Sequence, residues 1–209
     1  MTKRSMITAL AGLLALTGCE QVANGITLSE LTSRKTVGER VIDLSAERPP
    51  EIAVAIPKLG TGATLRLSGR NGTVSSWQSP DGAGLSFDEG LLTATRGLGD
   101  DLMSAELAGS RAMLAGHAPA RGYPRIHSHI DGEARSYFVT YLCREADRSA
   151  DSVTIGEVTR PATRVNEHCT APDMEFVNSY WVARDGTVLR SRQWVSDRVG
   201  HLETLGAHR

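Results

Sequence analysis

The chain has no surplus of charge of either sign. Its 209 residues carry 23 Lys plus Arg against 24 Asp plus Glu, for a formal net charge of -1. Without a cationic excess there is no electrostatic grip on a phosphate backbone, which excludes general nucleic-acid binding. Nor does any apolar run approach the ~18 residues that a membrane-crossing helix needs. Aromatics are only 5% of the chain, and cysteines number three. Familiar catalytic patterns are missing too. There is no G-x-S-x-G for a nucleophile elbow, and Gly97-Leu98-Gly99 lacks the Lys-Ser/Thr ending of a phosphate loop. Asp88-Glu89 and Asp100-Asp101 are sequence neighbours that suit turns and caps, unlike the carboxylates that glycosidases set across a cleft. No motif implies a cofactor.

What is present begins at the N-terminus. Lys3 and Arg4 precede the uncharged run Met6–Leu16, which has the length of a secretory signal. The run ends in Leu16-Thr17-Gly18-Cys19, which resembles a bacterial lipobox and implies cleavage before Cys19 and acylation there. Two or more acyl chains hold a protein stably on a bilayer, whereas one holds it only marginally. The alternative is an ordinary secretory signal followed by a chance cysteine. Glu20 is not the aspartate associated with inner-membrane retention, so delivery to the periplasmic face of the outer membrane is expected. The organisation is then a signal peptide over 1–18, an anchor-proximal lead over 19–48 in which Thr27–Leu31 starts a short helix, and one domain over 49–209.

Cys143 and Cys169 remain for the body of the protein. In an oxidising compartment an even pair reads as a disulfide. Closing a loop with 25 residues between the cysteines stabilises by roughly 3 to 4 kcal/mol. The alternative is two buried thiols too far apart to meet.

Beyond Pro49-Pro50 the apolar pattern has period two: Ile52, Val54 and Ile56, then Leu65 and Leu67. Asn71-Gly72 marks one hairpin turn and Asp88-Glu89-Gly90 another. A short helix is expected from Asp100 or Asp101 to Leu107, followed by a Gly/Ala/Pro-rich connection over 108–122. Alternation resumes from Tyr123 over Ile126–Ile130, Tyr137–Cys143, Val153–Val158, Thr163–Cys169, Phe176–Ala183 and Val188–Val195, with turns at Asp131-Gly132 and Asp185-Gly186. About ten short strands without long intervening helices predict a mainly-β domain, an antiparallel barrel-like or sandwich fold with one or two short helices.

His127 and His129 form the best metal candidate, because residues two apart on a strand share a face. They would need a third ligand such as His117 or His168, and the alternative is a surface pair on a solvent-facing strand. Trp77, Tyr180, Trp181 and Trp194 are candidate glycan contacts, since aromatic faces stack on sugars. The alternative for most of them is core packing.

Two blocks resemble a known family. Thr64–Leu102 is similar to the strand, tryptophan and hairpin stretch of YjbF/GfcB-type group 4 capsule lipoproteins. Asn178–Leu205 resembles the family's closing hairpin through Tyr180, Trp181, Gly186, Ser191 and Gln193. The cysteine pair and the 108–122 connection depart from the pattern. The resemblance implies a mainly-β outer-membrane lipoprotein that is not an enzyme, an accessory binding or scaffold factor in capsular or exopolysaccharide production and export. Its implied partners are an outer-membrane β-barrel export protein and polysaccharide. The rival is a periplasmic glycan-modifying enzyme using cleft carboxylates or the His127/His129 pair.

Overall fold

The computed structural model describes residues 50–206. The signal segment, Cys19 and the helix start expected at Thr27–Leu31 lie outside them. The strands run Glu51–Ile56 (β1), Thr61–Asn71 (β2), Val74–Gln78 (β3), Gly84–Asp88 (β4), Leu91–Arg96 (β5), Asp101–Ala105 (β6), Tyr123–Ile130 (β7), Ser136–Ile155 (β8), Val158–Ala171 (β9), Met174–Val182 (β10), Val188–Ser196 (β11) and Gly200–Leu205 (β12). One α-helix among the described residues, Ala108–Leu114 (α1), joins β6 to β7.

All twelve strands belong to one antiparallel sheet in the order β5-β4-β3-β2-β1-β12-β11-β10-β9-β8-β7-β6. Each strand lies beside its sequence neighbours except at β5 and β6, and β1 pairs with β12 through Ala53 and Leu205. The sheet is therefore a nearly closed up-and-down barrel with a single seam. Side chains stitch that seam. Thr95 Oγ1 accepts the Leu102 N–H at 2.9 Å and donates to Asp101 at 2.9 Å. Gln193, reaching across from β11, accepts the Leu92 N–H at 2.8 Å and donates to the Gly90 carbonyl at 2.9 Å. Backbone groups of an edge strand are thereby satisfied without a partner strand.

Alternate residues of each strand point inward and build two large apolar clusters. One holds Leu91, Met113, Tyr141, Val165, Phe176 and Tyr180, and the other Ile52, Leu65, Trp77, Phe87, Leu102 and Leu202. Each fully buried Leu or Phe contributes about 1.5–3 kcal/mol relative to exposure. The long β8–β9 hairpin adds a third, small cluster in which Val153 and Ala162 cover Leu189.

Several local expectations are corrected. The segment expected as a helix from Asp100 or Asp101 is strand β6. The Asp101 carboxylate caps the preceding turn instead, accepting the N–H groups of Gly97 at 2.8 Å and Leu98 at 3.0 Å. The helix lies in the expected connection. Glu106 accepts the Ala108 N–H at 2.8 Å, and Gly109 allows the Tyr123 ring to lie 2.2 Å from where a Cβ would sit. In the β2–β3 hairpin Asn71 pairs with Val74, so Gly72 (φ 59) and Thr73 form the turn. Val153–Val158 straddles the β8–β9 turn, because Ile155 pairs with Val158. Strands β6 and β12 raise the count from about ten to twelve.

Candidate functional site

The inner face of β7 carries Tyr123, Arg125, His127 and His129, one at every second position, and all four are buried. Opposite them β9 contributes Glu167, and β10 contributes Asn178 and Tyr180. Arg125 and Glu167 have no solvent-exposed side-chain surface, and they pair at 3.2 Å. Glu167 Oε1 accepts from Ser110 of α1 at 2.5 Å and from Tyr123 at 2.8 Å. Its Oε2 accepts from Asn178 at 2.8 Å and from Tyr180 at 3.1 Å. Arg125 also donates to Ser110 at 2.9 Å and to His127 Nε2 at 3.0 Å. Five donors on one carboxylate fill its lone-pair sites, which leaves no vacancy for a substrate proton.

The charges follow from this geometry. Burial pushes the Glu167 carboxyl up, but the Arg125 charge and the hydrogen bonds from Ser110, Asn178 and Tyr123 outweigh it, so the group sits below its ordinary value. Burial first and the neighbouring carboxylate second push the phenols of Tyr123 and Tyr180 up, keeping them protonated as donors. A buried ion pair wired in this way resembles a structural lock: losing one partner strands the other charge.

The two histidines share a face, with ring centroids 5.6 Å apart, but that face is the interior and not a solvent-facing strand. Burial and then the Arg125 charge hold His127 well below its usual range, and burial lowers His129. A neutral imidazole accepting from a guanidinium is poorly placed to bind a cation. Among the described residues no third ligand joins the pair. His168 pairs with Glu175 at 3.2 Å, and the one ligand-type cluster is Cys143, Glu167 and Cys169. The sulfurs of that cluster are joined in a disulfide linking directly opposed residues of β8 and β9, with Cα atoms 4.0 Å apart.

The candidate glycan contacts separate by burial. Trp77 and Tyr180 are buried and offer no face to a sugar, because Trp77 donates to Ser75 at 2.9 Å inside the core and Tyr180 serves Glu167. Trp194 is half-buried, stacked on Phe176 with centroids 5.3 Å apart and met at its edge by His201. Trp181 is half-buried, donates to Asp151 at 2.8 Å and carries the Arg190 guanidinium 4.6 Å over its ring.

By sequence, residues 39–205 match the family described as group 4 capsule polysaccharide lipoprotein gfcB, YjbF. The chain belongs to this family. Among solved structures, the hypothetical lipoprotein YmcC of Escherichia coli is similar with a TM-score of 0.62 at 19% identity, covering 75% of this chain and 82% of that one. An exported protein with a YmcC-like fold from Bacteroides fragilis aligns at 12% identity over 78% of this chain and 95% of that one, with a TM-score of 0.28. The YmcC likeness bears on the fold, which is the barrel described above. No curated protein matches the chain. Membership of the capsule lipoprotein family ties the chain to polysaccharide production and to the cell envelope.

The family resemblance in the closing hairpin has a physical basis in the barrel. Tyr180 anchors Glu167, Gly186 turns the β10–β11 hairpin, Ser191 pairs with Thr204 at 2.8 Å and Gln193 seals the seam. These capsule-lipoprotein motif positions hold the barrel together. The outer face of the same wall is different. Phe138 is 74% exposed and Leu142 59%, with Ile126 and Met103 also exposed beside them on β7 and β6. The ladder sets Ser128 against Phe138, Ile126 against Thr140 and Pro124 against Leu142, so on β7 and β8 these apolar side chains share one outer face, interspersed with Ser128 and Thr140. Sequence periodicity identifies the strands and leaves open which face is the inner one.

Proposed function

We propose that this capsule lipoprotein is a non-catalytic accessory scaffold for capsular or exopolysaccharide production and export, held by a lipid on Cys19 at the periplasmic face of the outer membrane. The observation that supports this reading is the inversion of the β7–β8 wall. The titratable groups are sealed inside, with Arg125 and Glu167 paired, while exposed apolar side chains share the outer face, as at protein interaction sites. The partner of that face is an outer-membrane β-barrel export protein. Thirty residues separate Cys19 from Pro50, so a lipid there keeps Pro50, where the domain begins, within ~100 Å of the bilayer even at full extension. Confinement of that kind raises the effective concentration toward a membrane partner.

A deletion strain tests the proposal. Loss of export with unchanged polysaccharide structure is the expected result. Altered chain length or substitution of the polysaccharide would instead make the chain a glycan-modifying enzyme. Cys19→Ala should release the protein from the membrane fraction.

A further inference from the structure

One end of the barrel opens into a cleft of about 480 Å³, inside the range of about 300–1,000 Å³ typical of ligand sites. It lies between the β2–β3 turn, the β10–β11 turn and the C-terminal half of α1. Its floor is aliphatic: Leu91, Val182 and Val188, which are the top of the core, together with Leu114. Its rim carries two charges of each sign, from Arg70, Arg111, Glu89 and Asp185. Arg111 is shared between Asp88 and Glu89, with the latter contact at 3.3 Å, and Arg70 makes no ion pair among the described residues.

Glu89 is unusual. It holds φ 52, and only one other described non-glycine residue, Ala134, has positive φ. Glycine, asparagine or aspartate would take that conformation more readily. The strained turn places a carboxylate on the cleft rim, beside Arg111.

A hydrocarbon ligand would strip water from four charged rim groups, and a polyanion would meet two carboxylates. An uncharged sugar fits both parts. Its C–H face suits the aliphatic floor, and its hydroxyl groups can donate to carboxylates and accept from guanidinium groups. We propose that this cleft binds an uncharged sugar segment of the polysaccharide. The inference rests on the scaffold reading and adds direct contact with the polymer.

The test is calorimetric titration of the full chain with oligosaccharides released by partial acid hydrolysis from the producing strain's own secreted polysaccharide, separated into uncharged and acidic fractions. The uncharged fraction should bind saturably. Ala115→Trp, which fills the cleft from an exposed rim position, and Glu89→Gly should each weaken binding by about tenfold or more. Glu89→Gly should leave the melting temperature unchanged or higher, because it relieves the left-handed backbone. Equal binding by wild type and both variants would place the sugar elsewhere and overturn the inference. So would binding of the acidic fraction alone, abolished by Arg70→Ala, or no binding of either fraction. The scaffold reading is judged separately, by whether the deletion strain still exports polymer of normal structure.

Discussion

The two faces of β7 reverse the usual arrangement. Inward point Tyr123, Arg125, His127 and His129, and outward point Pro124, Ile126, Ser128 and Ile130. The neighbouring strand β8 likewise turns Phe138 and Leu142 to solvent while Tyr141 and Cys143 face the core. A cationic residue is tolerated inside because Glu167 and its four other donors accompany it. An isoleucine outside has no such compensation within the chain. The contrast teaches that the polar residues of this wall serve the fold, while apolar ones are left to solvent.

The severest way to break the inner face is to remove one half of its ion pair. Glu167→Ala should cost about 3–5 kcal/mol in denaturant unfolding, because it leaves the Arg125 charge buried and unpaired. The double variant Arg125→Met/Glu167→Leu should be less damaged than Glu167→Ala, and a double-mutant cycle would measure the coupling. Removing the disulfide by Cys143→Ala/Cys169→Ala should cost about 2–4 kcal/mol in the same assay. Gln193→Leu should cost about 1–3 kcal/mol by orphaning the Leu92 N–H and the Gly90 carbonyl at the seam.

Acid sharpens the contrast further. Burial holds His127 well below its ordinary value of 6.5 and lowers His129, while His201 is pushed down to about 4 by burial and by Arg192. The unfolded chain then binds more protons than the folded one below pH 6.5. The stability these groups contribute is complete above that pH and falls as pH drops, for His201 through about 4. Glu167, whose folded value is depressed, adds a further loss below its ordinary carboxylate range. Unfolding measured from pH 7 to pH 4 should show this decline, and His201→Gln should flatten it. The outer face should respond least: Phe138→Ser/Leu142→Ser should change stability by no more than about 0.5 kcal/mol per site.

Part of this was legible from residues alone. Alternation from Ile52 onward identified most strands and the antiparallel mainly-β class, and the family motifs marked the closing hairpin. The rest depended on contacts remote in sequence. Arg125 and Glu167 are 42 positions apart, and Gln193 reaches across 101 to Leu92. Period two is also symmetric between faces. Nothing in Tyr123–Ile130 states that the histidines point inward, so the sequence alone leaves a metal pair and a surface pair both open. Asp100 and Asp101 resemble helix caps in isolation, yet Thr95 recruits Asp101 to the turn at the seam. Ala108–Leu114 reads as a connection from sequence because its helix is short and is held by Ser110 and Met113 packing into the barrel end.

The most direct test of the division between a structural interior and a working exterior is polysaccharide export by the deletion strain carrying Phe138→Ser/Leu142→Ser at wild-type envelope abundance. The account predicts that export is lost while any polymer made keeps its normal structure. Undiminished export would contradict it.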